Sequence, residues 1–191
     1  MSLFNDASVA AQIHAAVCEH IPRLGLTHAP SRALVTVVAQ LHDCSDEELL
    51  GGAIRDRDMA QAVRAGLLLR AELDDESHTV SQNIETPEGS FWHGIMHRRE
   101  PDYSNSKYWF RRVDGHKLFS TLPACGAEED LSDPAFERLT DSGRWDPYYF
   151  VDLCSSCIQG PKSHLAKTLE SLQAREIDAL FAFCAQAALQ T

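Results

Sequence analysis

The chain has 191 residues, 44% of them hydrophobic and 24% charged. That length and composition fit one globular domain and exclude a disordered or fibrous chain. Seventeen Lys and Arg face 28 Asp and Glu, a net charge of −11, which argues against general binding to nucleic-acid backbones. The first residues, as far as Val17, lack a basic start followed by an apolar run, and no stretch approaches the roughly 18 apolar residues of a membrane span. A cytoplasmic protein with no membrane partner is therefore expected, its six cysteines reduced.

In chain order, Val9, Ile13, Val17 and Ile21 recur at helical spacing from about Ala7 to His20, and Pro22 and Gly25 end that helix. Ala33 to Leu41 is a second apolar run, helix or buried strand by periodicity alone. Ser45-Asp-Glu-Glu48 is a capping box, so a short helix follows and ends near Gly51-Gly52. The next helix starts near Asp56 or Asp58, carries Met59, Val63, Leu67 and Leu68 inward, and runs toward the acidic stretch Glu72 to Glu76. Thr86-Pro87 marks an N-cap and first helical position, predicting a helix over about Pro87 to Arg99 with Pro101 as its stop. Asp102 or Ser104 caps the helix that ends before Gly115. A polar loop covers Ala127 to Asp133. Asp133-Pro134 and Asp146-Pro147 open two more helices, and a last one spans Lys162 to Leu189 beyond the break at Gly160-Pro161. The sum is an all-α fold, an irregular single-domain bundle of about eight helices over residues 1–191.

Residues 91–119 concentrate chemistry. They hold seven of the 15 aromatics and three of the nine histidines. From His97 to Lys117, six basic residues (Arg98, Arg99, Lys107, Arg111, Arg112 and Lys117) face three acidic ones, a cationic island in an anionic chain. Such an island suits a small anion, and aromatics supply the walls of a pocket.

On the helix through Ser90–Glu100, each residue turns by about 100°. Phe91, Trp92 and Ile95 share one face; His93, His97 and Glu100 share the opposite one. Two histidines at i and i+4 can ligate one metal ion, with Glu100 a turn further on. Gly94 stands where zinc enzymes of the H-E-x-x-H type carry their Glu, so this is not that motif. The same spacing also suits two histidines on a hydrated face, one of them paired with Glu100. Upstream, His78 with Glu76 or Glu85 completes a mixed His and carboxylate set suited to zinc, iron(II) or manganese. A solvated acidic helix end accounts for the same residues.

The next helix, Ser104 to Arg112, has aromatics at three successive positions, so most of it is expected to be buried. Its cations then need partners. An internal carboxylate is the expected partner of Arg111, and a bound anion that of Lys107. The run Trp92-His-Gly-Ile-Met-His-Arg-Arg-Glu100, Asp102-Tyr-Ser-Asn-Ser-Lys-Tyr-Trp-Phe-Arg-Arg112, with Glu76, Ser77, His78 and Gln82 upstream, resembles the signature of a family of uncharacterised helical proteins. The likeness covers about a quarter of the chain. It implies no activity, but it marks 74–112 as the functional segment.

Other motifs are weaker. Cys154-Ser-Ser-Cys157 falls late in a helical pattern, so a thioredoxin-like redox role is not expected; a structural zinc site with Cys125 and His164, or plain core packing, are the other readings. No phosphate-binding glycine loop or G-x-S-x-G elbow occurs.

The first expectation is a metal-dependent enzyme, hydrolase or lyase in type. His78, His93 and His97 hold a divalent transition metal, and Glu76 and Glu100 are catalytic. Arg98, Lys107 and Arg111 orient an anionic or polar small molecule, and Trp92, Tyr108 and Trp109 wall the pocket. A metal-free binding module for a small anion is equally defensible on the cofactor question. A structural or partner-binding helical protein is the third reading.

Overall fold

A computed structural model describes residues 9–18, 24–25, 35–113, 115–125, 134–159 and 164–190. The fold is all-α. The helices are α1 (Val9–Cys18), α2 (Val35–Asp43), α3 (Asp46–Leu50), α4 (Arg57–Arg70), α5 (Asp74–Ser81), α6 (Pro87–Arg99), α7 (Tyr103–Arg112), α8 (Leu118–Cys125), α9 (Pro134–Glu137), α10 (Pro147–Gln159) and α11 (His164–Leu189). A 3-10 turn covers Arg138–Gly143. These segments outnumber the eight or so expected because α5 and α8 were not among the helices read from the sequence. Among the described residues there is no strand, and no helix is long and apolar enough to cross a membrane. The outer ends of the first helix, the 127–133 loop and the break at Gly160-Pro161 lie outside the described residues.

Local chemistry sets several boundaries. The ambiguous apolar run is helix α2. Ser45 accepts from the Glu48 backbone amide while the Glu48 carboxylate takes the Ser45 amide, and Gly51, at φ 69°, closes α3 in the left-handed region. The Asp56 carboxylate caps α4 by accepting from the Met59 amide at 3.0 Å. Thr86 caps α6 with Pro87 in its first turn, and Asp102 caps α7. The acidic stretch after α4 is not a run-on of that helix. α4 ends at Arg70, Glu72 turns the chain at φ 63°, and Asp74 opens α5 as a separate helix.

The core is organised around α6, which is buried from Glu88 to Arg99. α4, α5, α7, α10 and α11 all touch it. Two glycines make this crowding fit. A Cβ on Gly66 of α4 would stand 2.6 Å from the Trp92 indole, and one on Gly94 of α6 would stand 2.9 Å from the Phe110 ring of α7. Ser106 Oγ of α7 then donates to the Gly94 carbonyl at 2.6 Å. α7 thus lies against α6 at close range, and the aromatic and polar groups of the two helices meet along this seam.

The expectation that α7 is mostly buried is corrected. Of its side chains only Ser106 and Phe110 are buried, and Tyr108 is 46% exposed. Three successive aromatics do not require a buried helix when two of them lie on neighbouring side chains instead of in the core.

Candidate functional site: a histidine triad between two helices

α5 brings His78 and α6 brings His93 and His97 to one place. The ring centres are 5.0 Å apart for His78 and His93, 5.5 Å for His78 and His97, and 5.9 Å for His93 and His97. Three imidazoles on one zinc ion, with metal–nitrogen distances of about 2.0–2.1 Å, would have ring centres about 5 Å apart. The observed triangle is slightly wider than that. Among the described residues no three His, Cys, Asp or Glu side chains form a ready-made metal cage, so binding an ion at the triad requires side-chain rotation.

Two of the rings have one nitrogen already assigned. His93 Nδ1–H donates to the Gly89 carbonyl at 3.2 Å, which leaves Nε2 with its lone pair. His97 Nδ1–H donates to the Glu100 carboxylate at 2.8 Å, which does the same for its Nε2. A ring nitrogen tied to a carbonyl or carboxylate is the usual support for a metal-bound histidine. His93 is 1% exposed. Burial pushes it down to about 4, outweighing the Gly89 bond that favours the charged form, and the neighbouring His78 and His97 push in the same downward direction. It is therefore neutral near pH 7, the state a ligand needs.

α7 closes the site. Trp109 is half-buried and stacks on His93, with ring centres 4.1 Å apart and planes at 25°. Tyr108 meets Trp109 edge-on at 5.5 Å. Asn105 places its amide nitrogen 3.1 Å from His97 Nε2. Nothing in the sequence pattern singled out Asn105; it becomes legible only once α7 is laid along α6.

Other expected site residues stand elsewhere. Glu76 lies two positions before His78, about 200° round the helix, and its carboxylate pairs with His42 at 2.5 Å on the side facing α2. It is not part of the triad's surroundings. Glu85 is exposed in the turn before α6. Trp92 is a core residue, with no exposed surface, on the α4 side of α6. Arg98 cannot orient a substrate. It is 0% exposed, pairs with the equally buried Glu176 at 2.5 Å, takes the Gln173 side chain as acceptor and lies over the Phe150 ring. Lys107 pairs with Asp152 at 2.6 Å, whereas Arg111 is exposed and lies over Tyr108. The carboxylate expected beside Arg111 thus stands beside Lys107.

One carboxylate escaped the sequence reading. Asp74 is 6% exposed, one turn before His78, with Arg99 Nε 3.3 Å from its Oδ1. Burial pushes its carboxyl up to about 6; Arg99 pulls the other way, and the charges of Glu72 and Glu100 add to the rise. Its i, i+4 spacing to His78 was the available signal, obscured by two further acidic residues alongside.

Cys154 and Cys157 are buried within α10, and burial pushes the Cys154 thiol up to about 12. That value makes the thiolate scarce and supports packing over redox chemistry. Comparison with protein-family models, with curated proteins and with solved structures returned no match.

Proposed function

We propose that the protein is a metal-dependent enzyme, hydrolase or lyase in type, acting on a small anionic or polar molecule, with His78, His93 and His97 holding a divalent transition metal. The observation that carries the reading is the triad itself: three imidazoles from two packed helices, two of them with Nδ1 already bonded. An all-histidine set suits zinc, and Glu100 nearby also suits iron(II) or manganese. A metal held there would supply a Lewis acid and an activated water. Glu100 orients His97 and holds a carboxylate at the edge of the site, where it can exchange a proton with a bound molecule. Trp109 covers His93 and limits access of bulk water to that ring. The likeness to uncharacterised helical proteins agrees with a working segment at 74–112.

Elemental analysis of protein purified without a histidine tag or chelator tests this. Wild type is expected to carry close to one equivalent of transition metal, and the His93→Ala, His97→Ala double variant almost none. Equal content in the two would sink the reading.

The second reading, a metal-free binding module for a small anion, is favoured by one contact. The Asn105 amide already occupies His97 Nε2. Wild type free of metal, with His97→Ala altering ligand-induced stabilisation, is its expected outcome.

A further inference from the structure

Of the six basic residues from His97 to Lys117, Arg98 and Arg99 are paired with carboxylates inside the fold and Lys107 with Asp152 at the surface. Arg111 and Arg112 are exposed on α7, and among the described residues neither meets a carboxylate. Each instead lies near an aromatic ring one turn back. The Arg111 guanidinium is 5.8 Å from the centre of Tyr108, and that of Arg112 is 5.3 Å from the centre of Trp109. A guanidinium over a ring face keeps its edge N–H groups available, and those are the donors that grip phosphate or carboxylate oxygens in pairs. The ring also holds the side chain in place, so less freedom is lost when an anion binds.

The location connects this pair to the triad. Trp109 contacts Arg112 on one side and stacks on His93 at 4.1 Å. Cation, indole and imidazole therefore form one continuous series from the surface to the histidines. Tyr108, whose ring carries Arg111, meets Trp109 edge-on at 5.5 Å.

We infer that Arg111 and Arg112 form the anchoring subsite for a phosphate group, so that the substrate class is a small phosphorylated molecule whose reacting end reaches the histidine triad past Trp109. Two guanidiniums match a dianion better than a single carboxylate, and this selects phosphate. The assignment of the reacting end rests on the metal-site reading above; the anchoring subsite does not.

Inorganic phosphate is the probe. It is titrated by calorimetry into the full chain, with and without one equivalent of zinc, at constant ionic strength, with acetate as the monoanion control. The variants are Arg111→Gln, Arg112→Gln, the two combined, and Lys117→Gln as a charge-matched control on an exposed cation that lies over Phe183. Wild type binds phosphate saturably and more tightly than acetate. Each Arg single variant weakens phosphate binding by about tenfold, the loss expected for one charge-assisted contact. The double variant abolishes it, and Lys117→Gln leaves it unchanged. Metal content stays equal in all four variants and wild type. The inference is overturned if wild type shows no saturable binding, if the double variant binds as wild type does, or if Lys117→Gln weakens binding as much as the Arg variants. Arginine-dependent phosphate binding in a protein that takes up no metal supports the subsite and removes the metal reading alone.

Discussion

Two Arg-Arg pairs stand 13 positions apart, Arg98-Arg99 at the end of α6 and Arg111-Arg112 at the end of α7. Locally they look alike: each closes a helix, where a cation favours the helix dipole. In the fold they are opposites. Arg98 and Arg99 have no exposed surface. Arg98 is held by Glu176 and Gln173 of α11; Arg99 is held by Asp74, Glu72 and the Leu69 carbonyl. Arg111 and Arg112 face solvent and lie over rings of their own helix. α6 is surrounded on all sides, so its cations had to find internal carboxylates. α7 covers one side of α6 and leaves its other side open. A pair of cations is a structural element or a binding element according to what the neighbouring helices bring to it.

Breaking the buried pair should give the largest effect. Arg98→Met leaves Glu176 charged and unpaired in the core and should cost about 3–5 kcal/mol in urea unfolding. Replacing Glu176 as well, with Met, should recover most of that loss, because two apolar side chains of similar volume have no charge to desolvate. A single variant within 1 kcal/mol of wild type would show, against about 3–5 expected, that the pair is hydrated.

The Arg99 side of the comparison can be read through pH. The Asp74 carboxyl titrates near 6 in the folded chain and at the ordinary aspartate value of 3.8 when unfolded. The folded state therefore binds the proton more tightly. Stability from this group is complete below about 3.8 and is lost as pH rises through about 6. Wild type relative to Asp74→Asn should lose stability across this window, on the order of 2 kcal/mol, and stay level above it. A flat difference between the two proteins from pH 4 to 7 would show an ordinary, solvated carboxylate.

The exposed side should yield the smallest changes. Lys107 and Asp152 keep 30% and 58% of their side-chain surface, so Lys107→Ala should cost no more than about 1 kcal/mol. Arg111→Gln and Arg112→Gln should each shift stability by about 0.5 kcal/mol or less while weakening phosphate binding. A loss of several kcal/mol from either would place these arginines with the buried pair and end the contrast.

Much of the architecture was legible in the residues. The capping box at Ser45, the Thr86-Pro87 start and Pro101 stop around α6, and the all-α character follow from backbone hydrogen bonding and helical periodicity, which act over three or four positions. The pairing of His93 with His97 and the reach of Glu100 to His97 are likewise local, set by one turn of helix. The placement of His78 beside them agrees with the expected grouping, but local rules could not supply it. It depends on α5 packing against α6. The same holds for what was misplaced. Glu76 against Glu100, Arg98 against Arg111, and Trp92 against Trp109 are chemically equivalent choices in the sequence. Which member faces the core, the triad or solvent is decided by rotation of each helix about its axis, through neighbours such as Gly66 beneath Trp92 and Glu176 beside Arg98. The sequence by itself determined where helices begin and end and which side chains share a turn. Only the tertiary structure decided which of those turns meet, because burial and ion pairing between helices join residues far apart in the chain, such as Arg98 and Glu176, 78 positions apart.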